Sequence, residues 1–195
     1  MSKTLSEIRE EIDTIDNNVH DLLMRRASLV SSVAEAKKKD GAQIVQPARE
    51  ARMVRRLLAR HEGSLPERTI IRIWRELVGS VALLQSGFTV HVIDNDLGTT
   101  YWDLAKEYFG SIGPMGKVQG VNNVIGMVQN KSHESFGVLP WPEVEEDNPW
   151  WVNLCQQNDE EKISIILSLP NYKEQEFGER AVVISKVNFL PSDED

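Results

Sequence analysis

Along residues 5–39 the apolar side chains step by four and by three: Ile8, Ile12, Ile15, Val19 and Leu22, then Leu29, Val33 and Ala36. That spacing predicts one long helix whose apolar seam packs lengthwise on another helix. Thr4 and Glu7 in T-L-S-E form a capping box at its start, and Asp40-Gly41 is its stop signal. At about 1.5 Å per residue it is roughly 50 Å long. The two helices that follow are too short to cover it, so its natural partner is a second copy of itself. A dimer is expected.

The second helix opens at Pro47, a residue suited to a first helical position, and runs through Met53, Val54, Leu57 and Leu58 to about His61. Glu62-Gly63 ends it. The third follows a further capping box, Ser64 to Glu67, places Ile70, Ile73, Trp74, Leu77, Val81 and Leu84 on one side, and stops at Gly87. The texture then changes. Strands are expected at 88–93, 136–140, 162–169 and 180–190, and helices at 102–110, 121–131 and 149–157. Strands alternating with helices indicate a small α/β domain with a mixed sheet. The fold class is α+β in two domains: an all-α three-helix domain over 1–87 and the α/β domain over 88–195. The acidic tail SDED reads as disordered.

Charge divides along the same line. Residues 1–87 carry 15 Lys and Arg against 12 Asp and Glu, whereas 88–195 carry 7 against 18. Arg180 is the sole arginine of the second part. A small anion is therefore the business of the first part, and the overall charge of −8 argues against nucleic acid or an anionic membrane as partner. No apolar run approaches the roughly 18 residues of a membrane helix. The start, MSKTLSEIREEID, lacks the apolar core of a secretory leader. With Cys155 as the single cysteine no intrachain disulfide can form, and a cytoplasmic location is expected.

Arg26 interrupts the apolar seam of the first helix, where four-three stepping from Leu22 lands. A guanidinium there is costly unless an anion meets it. That anion is either a structural carboxylate or a ligand, unless the side chain snorkels to the surface. Lys37, three turns on and roughly 16 Å away, lies on nearly the same face. It also begins a lysine run, which at a helix end complements the dipole. Arg9 lies roughly 25 Å from Arg26 along the helix and cannot touch the same small ligand. If Arg9 serves an anion site, that site belongs to the other protomer of an antiparallel pair.

Arg9 in SEIREEID, Asp16, Arg26 in LLMRRASLV, Lys37 in AEAKKK, Arg49-Glu50 in PAREA and Gln85 in ALLQ together resemble the helical, type II chorismate mutases over about residues 3–87. The resemblance implies an intertwined homodimer with two shared active sites and no cofactor or metal. It implies rearrangement of chorismate to prephenate in aromatic amino-acid biosynthesis. Arg9 of one chain and Arg26 of the other would hold the substrate carboxylates. Lys37 would contact a carboxylate and the ether oxygen, Gln85 would donate to that oxygen, Glu50 would accept from the ring hydroxyl, and Arg49 would support the cationic wall. Gln46 stands where the family often has aspartate, and Val81 where it often has a small hydroxyl residue. Two alternatives remain open: an isochorismate-pyruvate lyase on the same scaffold, differing around residues 38–47, and a non-catalytic regulator that senses chorismate.

LGTTYWDLAKEYFG and FGVLPWP resemble parts of the prephenate dehydratase domain, but the Thr-Arg-Phe motif of that family is absent. With 108 residues after Gly87 and one arginine among them, a non-catalytic relative is expected. NDLGTT reads as a strand-to-helix turn rather than a phosphate loop, since its glycine is single. His20, His61, His91 and His133 show no metal-ligand spacing. Trp102, Trp141, Trp150 and Trp151 read as packing residues, and EVEEDN as a solvated loop.

Overall fold

A computed structural model describes residues 3–40, 45–85, 87–94, 100–130, 135–143, 149–155, 162–171 and 179–186. The stop at Gly41, most of NDLGTT and EVEEDN, His133, the ends of the expected elements at 149–157 and 180–190, and the tail lie outside them. Contacts group the chain into two units, Met1–Ala42 and Gln43–Asp195.

The first unit is one helix, α1 (Leu5–Asp40). Its capping box forms as its sequence predicts: the Glu7 N–H donates to Thr4 Oγ1 at 3.3 Å, and the Thr4 N–H donates back to Glu7 Oε2 at 2.7 Å. Those donors, the Thr4 backbone first, hold the Glu7 carboxyl below its ordinary range. Lys3 pairs with Glu11, one turn beyond the capping box. The apolar seam stays in solvent: Ile12 is 51% and Leu22 64% exposed, with Ile8, Ile15, Val19 and Leu29 also exposed.

The second unit begins with α2 (Pro47–Ala59) and α3 (Glu67–Gln85). It continues through β1 (Thr89–Asp94), α4 (Thr100–Phe109), β2 (Met115–Gln119), α5 (Val121–Asn130) and β3 (Ser135–Pro140), then α6 (Val152–Cys155), β4 (Ser164–Leu169) and β5 (Ala181–Ser185). The sheet is mixed, as expected, with strand order β2-β1-β3-β5-β4. β1 runs parallel to β2 and β3, joined through α4 and α5, whereas β5 is antiparallel to β3 and β4. The central strands β3 and β5 are buried almost end to end, the mark of a sheet covered on both faces. Their apolar runs FGVL and AVVI are legible for that reason.

Two elements differ from the sequence reading. The fifth strand, β2, was not expected: MGKVQ has little alternation, and its pairing along β1 supplies the order. The expected helix at 149–157 contracts to the single turn of α6 within the described residues.

The core joins this sheet to α4 and α5 and centres on Phe88, Phe109 and Phe136, whose ring centroids lie 5.3–6.2 Å apart. α3 crosses α4 closely enough to forbid a side chain. A Cβ built on Gly79 would sit 2.0 Å from the carbonyl oxygen of Phe109. α4 ends at Gly110, whose φ of +83° is the left-handed cap glycine tolerates best. The following residue, Ser111, is held by Glu76 of α3, which accepts its N–H at 2.9 Å and its hydroxyl at 3.0 Å.

Candidate active site

The expected site residues fall on two parts of the chain. Arg9, Arg26 and Lys37 all lie on the unbroken α1. Arg26 follows Arg9 by seventeen positions. At the helical rise that is roughly 25 Å, so in one chain they do not meet around a single small anion. The side chain of Lys37 lies outside the described residues.

The other candidates stand on α2 and α3. Gln46 is the N-cap of α2, and its side chain makes no capping hydrogen bond. Arg49 is exposed, and Val81 is half-buried on α3. Gln85 is the last residue of α3, and its side chain is outside the described residues.

Glu50 is the exception, because its surroundings are fully built. It is only 8% exposed. Its Oε2 accepts from Arg75 Nη1 at 2.7 Å and from the Tyr108 hydroxyl at 3.0 Å. Its Oε1 receives the long 3.4 Å contact from the Gln46 N–H. A carboxylate offers about four acceptor sites, so Oε1 keeps capacity for another donor. The guanidinium of Arg75 also stacks over the Tyr108 ring at 4.2 Å. Burial, and then the Glu50 charge, push the Tyr108 hydroxyl well above its ordinary pKa, so it stays a donor at any ordinary pH.

Arg75 and Tyr108 were not singled out by sequence. One signal was available: Arg68, Arg72 and Arg75 recur at helical spacing on one stripe of α3. Arg68 is likewise engaged across the α3–α4 seam, 2.8 Å from Glu107. Arg180, the single arginine after residue 87, lies over the Trp141 ring at 3.5 Å. Trp150 is buried in the core, with Trp102, Trp141 and Trp151 packed against it, as the sequence suggests. Among the described residues no three His, Cys, Asp or Glu side chains gather as a metal set, and no helix is long and apolar enough to cross a membrane.

Comparison with known proteins adds the following. Residues 8–86 match the family model described as chorismate mutase type II. The chorismate mutase of Methanocaldococcus jannaschii is 35% identical over 91 residues, 45% of this chain and 90% of that protein. A bifunctional chorismate mutase/prephenate dehydratase of Aquifex aeolicus is 28% identical over 140 residues, 70% of this chain and 38% of that protein. Its namesake in Neisseria gonorrhoeae is 31% identical over 114 residues, 56% of this chain and 31% of that protein. The chain thus spans less than two-fifths of the length of these bifunctional relatives.

Proposed function

This chain belongs to the type II chorismate mutase family, and from that premise we propose that it is an isomerase converting chorismate to prephenate. The observation that carries the reading is positional. Arg9, Arg26, Lys37, Gln46, Arg49, Glu50, Val81 and Gln85 all fall inside the matched residues 8–86, which include one uninterrupted helix and two shorter ones.

The chemistry asks little of a protein. In this pericyclic step one C–O bond breaks while one C–C bond forms, with no nucleophile, metal or proton transfer. The protein must select the compact conformer of a dianion and stabilise negative charge growing on the ether oxygen. Arg9 and Arg26 hold the two carboxylates, with Arg49 reinforcing the cationic wall. Lys37 and Gln85 donate to the ether oxygen. Glu50, fixed by Arg75 and Tyr108, accepts from the ring hydroxyl through Oε1. Gln46 and Val81 border the substrate. A million-fold acceleration needs about 8 kcal/mol, and each preorganised donor supplies roughly 3–4 kcal/mol. Two donors and conformer selection reach that scale.

The functional boundary is at Gly87: residues 1–87 are the mutase, and 88–195 are a non-catalytic α/β part. The active form is a cytoplasmic homodimer with shared sites. The exposed seam of α1 supports this, since a row of isoleucines and leucines open to solvent favours association with a surface of equal length. Chorismate consumption followed by absorbance, with product identified, tests the whole reading. Prephenate should accumulate and phenylpyruvate should not. Lys37→Ala should lower turnover by about two orders of magnitude. Activity of that variant within about threefold of the parent would remove Lys37 from the site.

A further inference from the structure

The arginine stripe of α3 borders a cavity of about 90 Å³ within the second unit. Its opposite walls are mainly apolar, with Val54 of α2, Leu104 of α4 and Leu169 with Pro170 at the end of β4, beside Ile71 of α3 itself; Glu107, Tyr108 and Asn171 are their polar members. Two of the three guanidiniums that line it face carboxylates, Arg68 with Glu107 and Arg75 with Glu50. Arg72 is exposed and meets no carboxylate among the described residues. Among the described residues the cavity therefore keeps one surplus positive charge beside a hydrocarbon wall.

Those two features call for an amphipathic occupant. An apolar wall is poorly hydrated, and a space of this size takes about three waters or a body of three or four carbons. A guanidinium at its edge matches a carboxylate, which it can grip with two parallel hydrogen bonds. We infer that this cavity is a binding site for a small monocarboxylate with a compact branched aliphatic body. The carboxylate sits on Arg72, and the hydrocarbon lies against Val54, Ile71, Leu104 and Leu169. The cavity shares Arg75 and Tyr108 with the surroundings of Glu50. Arg72 and the apolar wall have no role in the mutase reading, so monocarboxylate binding and chorismate turnover are tested separately.

The test uses the full chain with labelled isoleucine, leucine and valine methyl groups, followed by NMR as 3-methylbutanoate is added. Saturable shifts are expected at the methyls of Val54, Ile71, Leu104 and Leu169, with a dissociation constant in the millimolar range. The neutral amide, 3-methylbutanamide, should produce none. Arg72→Gln, a change at an exposed position that leaves the fold intact, should weaken binding by about tenfold or more. Val54→Phe, which fills the apolar wall, should abolish it. Three results would overturn the assignment: no saturable shift with the acid, equal affinity for the amide, or unchanged affinity in Arg72→Gln.

Discussion

Arg75→Met removes the guanidinium that faces Glu50 and leaves a carboxylate, 8% exposed, with only the Tyr108 hydroxyl as a strong partner. Methionine refills the volume, so the loss is electrostatic rather than a cavity. Breaking one side of a buried pair costs about 3–5 kcal/mol, because the remaining charge stays desolvated. For a chain of this size each kcal/mol lowers the unfolding midpoint by roughly 2–4 °C, so the drop should be about 6–20 °C. The companion variant Glu50→Leu strands Arg75 in the same way. Combining the two removes both charges, and the double variant should recover most of the loss, since replacing a whole buried pair by apolar groups is often near neutral. Urea unfolding followed by tryptophan fluorescence gives the four stabilities of the cycle, and a coupling energy of several kcal/mol is expected. If Arg75→Met costs less than about 1 kcal/mol, or the double variant costs the sum of the singles, the cluster is not the linked buried pair its distances describe.

If the proposed dimer shares its sites, Arg9→Ala and Arg26→Ala should each be nearly inactive, and the two refolded as a mixture should regain about one quarter of parental activity, because each mixed dimer would have one intact site. A dimeric mixture as inactive as its parents would place both arginines in one pocket. Gly79→Ala should cost roughly 1–3 kcal/mol, since the new methyl meets the backbone carbonyl of Phe109, which cannot turn aside. An unchanged urea midpoint would contradict that crossing. Burial, reinforced by Glu179, pushes the Tyr101 hydroxyl from 10.0 up to about 12. A raised folded-state value means the protonated hydroxyl's contribution is complete below pH 10.0 and fades as the pH climbs toward about 12. Stability measured across that window should fall less steeply in Tyr101→Phe, and identical slopes would refute the assignment.

Sequence alone determined α1, because helical periodicity and capping are local: Thr4, Glu7 and the seam from Ile8 to Leu22 each report on neighbours three or four residues away. It likewise exposed the strands β3 and β5, whose unbroken apolar runs record burial on both faces. The candidate site residues came from the resemblance to the type II family, which implied their roles toward a substrate but not which side chains of the protein would hold them. Tertiary structure decided the rest. β2 has no pattern of its own and exists because the edge of β1 offers it a ladder. Glu50 acquired Arg75 from 25 residues away and Tyr108 from 58 residues away. Gly79 gained its meaning only when the carbonyl of Phe109 came to rest against it. These are contacts between surfaces, and a surface presents the same residue types whether or not a partner meets it. The pairing energy of Glu50 with Arg75, and the close crossing of α3 and α4, arise only once folding brings distant segments together.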